Sequence, residues 1–196
     1  DPAQVDDVIL GIATQQGTQG YNIVRLAVAT AGLPDTVPGM SIDRMCASGL
    51  MAIATGAKQI LADGMNVVVA GGVESISLVQ NQHKNAFRAQ SEAVVARWPH
   101  MYMQMIETAE VVAARYGISR EAQDEFSVAS QQKAAAAQTN GSFDDEIFTV
   151  EIAQKKGDPI KVNKDEYVRG ATTMDSLTKL RPAFKKDGTV TAGNAS

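Results

Sequence analysis

Blocks of apolar residues separated by polar loops mark the first seventy positions. An apolar run from Val8 to Ile12 predicts a short strand. A helix is then predicted from about Asn22 to Ala31, with Asn22 as its N-cap, Gly32 ending it, and one face formed by Ile23, Leu26, Ala27 and Thr30. A second short strand is predicted from Met40 to Asp43. Strand and helix therefore alternate from the start of the chain.

The most regular pattern follows this second strand. Between Leu50 and Leu61, apolar residues recur at helical spacing and Gly64 lies just past the end. Many of these residues are small, which favours a helix packed closely on all sides. The β-branched run from Asn66 to Ala70 is typical of a parallel strand that is buried on both faces. Strand, helix and strand in this order predict a βαβ unit and an α/β fold.

The pattern changes after residue 75. Residues 76–104 are polar and irregular, and helices are predicted from Thr108 to Tyr116 and from Ser119 to about Gln138. Two strands are predicted further on, at 146–153 and 159–162. We therefore interpret 1–75 as part of a core domain, 76–188 as an inserted domain and 189–196 as a return strand and turn.

Composition narrows the class of protein. The 196 residues are 44% hydrophobic and carry a net charge of −4, so the chain can bury a core and is not a general nucleic-acid binder. No apolar run approaches the roughly 18 residues of a membrane span, and no signal sequence is recognisable. The single cysteine, Cys46, excludes a disulfide framework and a cysteine-rich zinc site. We expect a cytoplasmic protein without a metal site.

Charge is distributed unevenly along the chain. Residues 155–187 carry a net charge of +4, whereas the remainder carries −8. A local basic stretch in an acidic protein is compatible with one phosphorylated small ligand. A solvated surface rich in lysine explains the same pattern, and charge alone does not separate the two interpretations.

Cys46 is the strongest candidate for chemistry. It lies between a predicted strand and the small-residue helix, where free N–H groups and the helix dipole stabilise a thiolate. The same N–H groups can hold an oxyanion formed at a carbonyl attached to the sulfur. The alternative is an inert buried thiol, which is the usual state of a free cysteine.

Other polar residues are weaker candidates. We interpret His83 and His100 as surface histidines. Acidic residues at helical spacing, Glu107 with Glu110 and Asp124 near Ser127, are interpreted as helix-surface charge without a catalytic role. Arg169, Ser176, Leu180, Arg181 and Phe184 bring a cation, a hydroxyl and apolar groups together. Such a set suits a phosphate and a flat base, although a surface loop is an equal alternative.

Several motifs resemble those of one family, the thiolases, and the resemblance runs in order along the whole chain. The segment from Arg44 to Leu50 resembles the acyl-enzyme cysteine motif, and Ala70 to Ser75 resembles the glycine-rich strand end. Thr108–Glu110 and Ser119–Asp124 resemble the loop domain. Lys179 to Phe184, leading to Gly188–Ser196, is similar to the coenzyme A segment.

The resemblance implies roles for individual residues. Cys46 would take an acyl group from acyl-coenzyme A and pass it to the enolate of acetyl-coenzyme A, or act in reverse by thiolysis of a 3-ketoacyl-coenzyme A. The backbone N–H of Cys46 would serve an oxyanion hole, and Met105 would face the acyl pocket. No covalently bound cofactor is implied, because coenzyme A is a substrate. The coenzyme A contacts implied are Arg169, Ser176, Leu180, Phe184, Ala192, Gly193 and Ser196.

Two departures from the family pattern qualify these roles. Gln104 stands where biosynthetic acetoacetyl-coenzyme A thiolases carry histidine. Together with the stretch Ser75–Gln80, this favours the degradative branch of fatty acid metabolism, which accepts a broader range of acyl chains, over strict acetyl specificity. The Asn-Glu-Ala-Phe, Gly-His-Pro and Cys-Gly-Gly segments of the family's second half are absent. We therefore expect a piece of a thiolase that is inactive alone, whose parent is a homodimer or homotetramer.

Two alternatives remain open. A ketoacyl synthase uses the same chemistry of a cysteine at the start of a helix. It lacks the thiolase loop domain, however, and this chain contains segments that resemble that domain. A non-catalytic module that binds coenzyme A or forms dimers would use Cys46 only for packing. Iodoacetamide labelling of Cys46 against pH separates this module from an acyltransferase, because an acyl-accepting thiol must be accessible and reactive.

Overall fold

A computed structural model describes residues 1–195. Contacts between residues divide the chain into two compact units, Asp1–Ser91 and the described residues from Glu92 onward. The structure is mixed α/β, as the sequence predicts. The predicted domain bounds at 75/76 and 188/189 stay predictions, because a division by contacts within one chain does not test an insertion.

The first unit is built on a parallel sheet of three strands in the order β2-β1-β3. Strand β1 pairs with β2 through Ile9 opposite Met40 and with β3 through Ile9 opposite Ala70. Both connections carry a helix, as parallel neighbours require. The bounds are β1 Asp7–Gly11, α1 Ile23–Thr30, β2 Met40–Ile42, α2 Ser48–Lys58, β3 Val68–Gly72 and α3 Ile76–Val79.

Helix α1 closes a small apolar core against β1. Its inward side chains Val24 and Val28 are buried with Val8, Ile12 and Val37. The helix therefore lies where it was predicted, but its predicted face was wrong, because Leu26, Ala27 and Thr30 of that face are exposed. Burial of these aliphatic side chains is the main source of stability here, because each contributes about 1.5–3 kcal/mol when removed from water.

The predicted capping role of Asn22 was wrong. Asn22 occupies the N-cap position but has φ of 51° and makes no side-chain cap hydrogen bond. Its amide instead donates to the Gly39 carbonyl at 2.8 Å, and its Oδ1 accepts from the Ser41 N–H at 3.1 Å. The side chain thus joins the start of α1 to β2, and this longer-range use outweighs local capping.

Helix α2 lies against β1 and β3 and continues as a π-helical turn, Gln59–Asp63. By length and hydropathy, the stretch Met45–Asp63 is apolar enough to cross a membrane, so the expectation that no run approaches this length was too strict. Such a stretch is weak evidence for a span, because the core helix of a globular domain meets the same criteria. One side of the stretch packs on β1 and β3, and 17% of it is buried.

Burial of α2 and β3 on all sides was also predicted, and this was wrong for the described residues. On α2 and the turn after it, Leu50 is 72% exposed and Leu61 is 86% exposed. On β3, Val69 is 45% exposed, whereas Val68 and Ala70 face Gly56 of α2. The reason is that β3 is an edge strand covered by α2, while α1 packs on β1 and β2.

The second unit consists of helices and one hairpin. Ser119 caps α6 by accepting a hydrogen bond from the Ala122 N–H at 3.1 Å, as predicted, and Gly117 ends α5 in the left-handed conformation. The hairpin strands are antiparallel, with Glu151 opposite Lys161. The bounds are α4 Glu92–Arg97, α5 Met105–Tyr116, α6 Arg120–Thr139, β4 Val150–Ile152, β5 Ile160–Val162 and α7 Met174–Thr178.

Candidate functional site

Cys46 lies in the loop between β2 and α2, and its side chain is exposed. Helix α2 begins two residues later, at Ser48. Because β1, β2 and β3 are parallel, this loop lies at the carboxyl edge of the sheet, where open α/β sheets bind their ligands. Cys46 is therefore not the buried thiol of the alternative interpretation.

The side chain of Ser48 fixes the shape of the Cys46 loop. Its Oγ accepts from the Arg44 N–H at 2.8 Å and donates to the Met45 carbonyl at 2.6 Å. Ser48 is buried, and Met45 holds a positive φ of 51°. A non-glycine residue adopts this conformation only where the surroundings enforce it. The hydroxyl thus holds a tight turn that presents the next residue, Cys46, to solvent.

A hydrogen-bonded pair, Gln19 and Glu74, joins two loops at the same edge of the sheet. Gln19 is buried, donates to Oε1 of Glu74 at 2.7 Å and accepts from the Ser75 N–H. The Ala13 N–H donates to Oε2 of Glu74 at 2.8 Å. Burial works to raise the pKa of Glu74, but hydrogen bonds from Gln19, Ala13 and Thr14 hold it below its ordinary value. The loops after β1 and β3 are therefore tied together.

The predicted surface histidines and acids have different outcomes. His83 and His100 are exposed, as predicted. The interpretation of Asp124 as helix-surface charge was wrong, because Asp124 is fully buried. Glu110 is half-buried and accepts hydrogen bonds from the Thr189 and Val190 N–H groups. Both acids lie on inward faces of helices, which a spacing of three residues alone does not distinguish from outward faces.

A cavity of about 570 Å³ in the second unit brings together five of the predicted coenzyme A contacts. Arg169 and Ser176 supply polar groups, and Leu180 supplies an apolar wall. Ser176 also completes a capping box with Thr173, its N–H donating to Thr173 Oγ1 at 3.2 Å, which fixes the start of α7. The five residues are Arg169, Ser176, Leu180, Ala192 and Gly193.

Two other predicted site residues, Phe184 and Met105, do not line this cavity. Phe184 is 62% exposed and lines a different cavity of about 640 Å³, together with Met103, Glu110 and Lys185. Met105 is the first residue of α5 and is 73% exposed. Ser196 lies outside the described residues. Their assigned roles stay predictions.

Three residues of the first cavity were missed by the sequence analysis: Gln131, Tyr167 and Leu177. Gln131 positions the cation of the site, because its Oε1 accepts from the Arg169 N–H at 2.7 Å. A signal for Gln131 was present in the sequence. Asp124, Ser127 and Gln131 are spaced three and four apart, as on one face of a helix. Such a face can point toward the interior even when its residues are polar.

No cluster of three or more histidine, cysteine, aspartate or glutamate side chains suited to a metal ion occurs within residues 1–195. Among the described residues that line the first cavity, Arg169 supplies the cation. A guanidinium binds phosphate oxygens through paired N–H donors. The arrangement suits an anionic ligand with an apolar portion.

Comparisons with known proteins agree on one family. The model described as "Thiolase, N-terminal domain" matches residues 1–196. A "Probable acetyl-CoA acyltransferase" of Staphylococcus aureus (strain COL) is 45% identical over all of this chain and 52% of the relative, and one from strain MRSA252 is 44% identical over the same shares. A crystal structure of the Bacillus anthracis acetyl-CoA acetyltransferase matches with a TM-score of 0.84 and 40% identity, over 99% of this chain and 51% of that one. The chain thus spans about half the length of the proteins it matches.

Proposed function

Because this chain belongs to the thiolase family, we propose that Cys46 accepts an acyl group from acyl-coenzyme A in a thiolase-type acyl transfer. The observation that carries the proposal is the exposed thiol of Cys46 on a loop held by Ser48 at the carboxyl edge of a parallel sheet. The names of the matched relatives, acyltransferase and acetyltransferase, support the same reaction class. Neither points to the alternative of a ketoacyl synthase.

The proposed chemistry has two acyl transfers. In the first, the Cys46 thiolate attacks the thioester carbonyl carbon, the C–S bond to coenzyme A breaks, and coenzyme A leaves as its thiolate. In the second, the enolate of acetyl-coenzyme A attacks the acyl–cysteine carbonyl, a C–C bond forms, and the Cys46 sulfur leaves. Thiolysis is this sequence in reverse. The Cys46 N–H would stabilise the oxyanion formed in each step.

The resemblance implies a histidine that activates Cys46 and a second cysteine that removes the proton from acetyl-coenzyme A. This chain has one cysteine, so we propose that it does not turn over by itself. The check is acetoacetyl-coenzyme A thiolysis by the 196 residues, with Cys46→Ala as the blank. Activity above that blank would contradict the proposal.

Acylation of Cys46 is the direct test of the first step. Protein of full length containing these residues is mixed with acetyl-coenzyme A, quenched in acid and analysed by peptide mass spectrometry. We expect one acetyl group on the peptide that carries Cys46, removed by a treatment that cleaves thioesters. The Cys46→Ser variant, analysed in the same way, should carry no acetyl group that this treatment removes. Coenzyme A binding without acylation would instead indicate a non-catalytic coenzyme A module.

We propose that the first cavity of the second unit holds coenzyme A. Arg169 supplies a cation for the phosphates, and Leu177 and Leu180 supply apolar surface. In calorimetric titration with coenzyme A, Arg169→Gln should weaken binding by about tenfold, because a charge-assisted hydrogen bond is worth about 1.5–3 kcal/mol. Lys186→Gln removes the same charge from an exposed residue outside the cavity and should have little effect.

Gln104 supports a finer proposal, that the protein degrades a broader range of acyl chains in fatty acid metabolism. We also propose that the parent protein is cytoplasmic. We further propose that it assembles as a dimer or tetramer. Exposed apolar side chains such as Leu61 and Val69 support association, because large apolar patches mark contact surfaces. Light scattering on protein of full length tests the assembly, and a monomer at working concentration would contradict it. Rates with acyl chains of increasing length test the substrate.

A further inference from the structure

A buried carboxylate lies behind the proposed coenzyme A cavity. Asp124 on α6 is fully buried, and both of its oxygens are engaged. Its Oδ2 accepts from Nε of Arg120 at 2.8 Å, and its Oδ1 accepts from Nδ2 of Asn194 at 2.9 Å. A buried charge is tolerated when it is paired and fully hydrogen-bonded. Asp124 does not itself line the cavity.

The partners of Asp124 lead to the two segments that form the cavity walls. On one side, Nη2 of Arg120 donates to the carbonyl oxygens of Leu177 at 2.6 Å and Leu180 at 3.2 Å. Both of these residues line the cavity through α7 and the turn after it. Arg120 thus fixes the backbone of the apolar wall.

On the other side, Asn194 organises the turn that carries Ala192 and Gly193. Its Nδ2 also donates to the Thr189 carbonyl at 3.1 Å, and its Oδ1 accepts from the Thr191 N–H at 2.7 Å. Thr191 is fully buried, and its Oγ1 accepts from the Gly193 N–H at 3.2 Å. One carboxylate therefore connects the backbones of both walls.

We infer that Asp124 is a positioning residue for coenzyme A binding, acting through Arg120 and Asn194 to hold the 177–180 and 191–194 segments at the spacing the ligand requires. The inference rests on the proposed function for its ligand, since it concerns the same cavity. Replacing Asp124 with asparagine leaves the Arg120 guanidinium without its ion pair. It also places the new side-chain amide opposite the amide of Asn194. Both walls then lose their common anchor.

The test compares Asp124→Asn with Asp175→Asn. Asp175 is an exposed carboxylate on α7 that pairs with Lys179 at 2.6 Å, so the control makes the same chemical change beside the cavity. We expect Asp124→Asn to weaken coenzyme A binding by about tenfold, as for loss of a buried charged hydrogen bond. Asp175→Asn should change it less than about twofold, because an exposed pair contributes little.

Amide hydrogen exchange, measured without ligand, separates positioning from general loss of stability. In Asp124→Asn, exchange should accelerate at Thr191 and Gly193 and in the turn at Leu180, while the hairpin β4–β5 should be unaffected. The paired variant Asp124→Asn with Asn194→Asp restores a donor facing an acceptor between the two side chains. It should recover part of the affinity lost in either single variant.

The outcomes distinguish this inference from the proposed function. If the unsubstituted chain binds coenzyme A but Asp124→Asn matches Asp175→Asn in affinity and exchange, the inference is overturned and the proposed function stands. Uniform acceleration across the whole second unit would also overturn it. If no coenzyme A binds to the unsubstituted chain, the coenzyme A assignment fails and so does positioning for this ligand, while selective exchange at the two segments would still show that Asp124 anchors both cavity walls.

Discussion

Gly11 and Ser48 are in direct backbone contact: a Cβ atom on Gly11 would lie 2.1 Å from the Ser48 carbonyl carbon. Gly11 is the last residue of β1, and Ser48 is the first of α2. The absence of a side chain at Gly11 is therefore what allows the helix that follows Cys46 to approach the sheet edge.

Gly11→Ala should push the start of α2 away from β1. Backbone atoms cannot yield as a flexible side chain does, so we expect a loss of at least about 1–3 kcal/mol in the free energy of unfolding. Gly71→Ala is the matched control on β3, since its Cβ would meet only Leu10 Cδ2 at 3.5 Å, an ordinary contact. Urea unfolding of both variants measures the difference, and equal losses would argue against the close approach.

Ser48→Ala should loosen the loop that presents Cys46. Removing the hydroxyl leaves the Arg44 N–H and Met45 carbonyl without this partner, at a cost of about 1–3 kcal/mol. We expect faster amide exchange at Arg44 and a changed rate of Cys46 alkylation by iodoacetamide at fixed pH. The control is Thr55→Ala, which removes a different side-chain hydrogen bond of α2, from the Thr55 hydroxyl to the Met51 carbonyl at 2.8 Å. This variant should leave the rate of Cys46 alkylation unchanged.

The lowered pKa of Glu110 predicts that the second unit loses folding stability at low pH. Burial works to raise its pKa, but hydrogen bonds from the Val190 and Thr189 amides and the Thr189 hydroxyl, together with the Lys185 charge, hold the pKa below its ordinary value of 4.5. A depressed carboxyl pKa stabilises the folded state above the unfolded-state pKa, and this contribution is lost as pH falls through the folded value.

The corresponding measurement is the stability of Glu110→Gln from pH 7 to pH 3. The variant should be less stable at pH 7 and should lose less stability than the unsubstituted chain below about pH 4.5. Glu107→Gln changes an exposed glutamate one turn earlier on α5 and serves as the control. Parallel pH profiles for Glu110→Gln and the unsubstituted chain would rule out this role.

Gly193→Ala should narrow the proposed coenzyme A cavity. A Cβ at this position would lie 2.5 Å from Leu177 Cδ2 and 2.7 Å from Leu180 Cδ1, so both leucines must turn. These are flexible side-chain tips, so stability should fall by no more than about 1–3 kcal/mol. Coenzyme A affinity, measured by calorimetry, should fall more than in a Gly49→Ala control, where an added Cβ would meet only the Gly71 carbonyl oxygen at 4.0 Å, an ordinary contact. Unchanged affinity would place the ligand elsewhere.

The periodic parts of the fold are predictable from the sequence. The α2 pattern from Leu50 to Leu61 and the Ser119 cap of α6 appear in the structure because each depends on neighbours along the helix. Short elements were harder. Helix α7 spans five residues, too few for a periodic pattern, and is held by the Thr173–Ser176 capping box.

The site is only partly predictable for a related reason. Cys46 stands out by type and position, and five cavity residues follow from the family resemblance. The buried Asp124 could not be recognised locally, because its partner Asn194 is 70 positions away and only the fold brings the two together. Asn22 is a similar case, since its bonds to Gly39 and Ser41 depend on the placement of β2.

The glycines where α2 crosses the sheet have a consequence for sequence variation. At Gly72, a Cβ would lie 3.3 Å from the Gly11 carbonyl oxygen and 3.5 Å from the Gly49 Cα, so main chain lies on main chain there. No rotamer can change to absorb added volume at such a junction. A library randomised at position 11 and along α2 should accordingly retain glycine at 11 while accepting many residues at Leu50 and Ile53, which are exposed. Sequence variation should therefore be concentrated on the solvent-facing side of the helix.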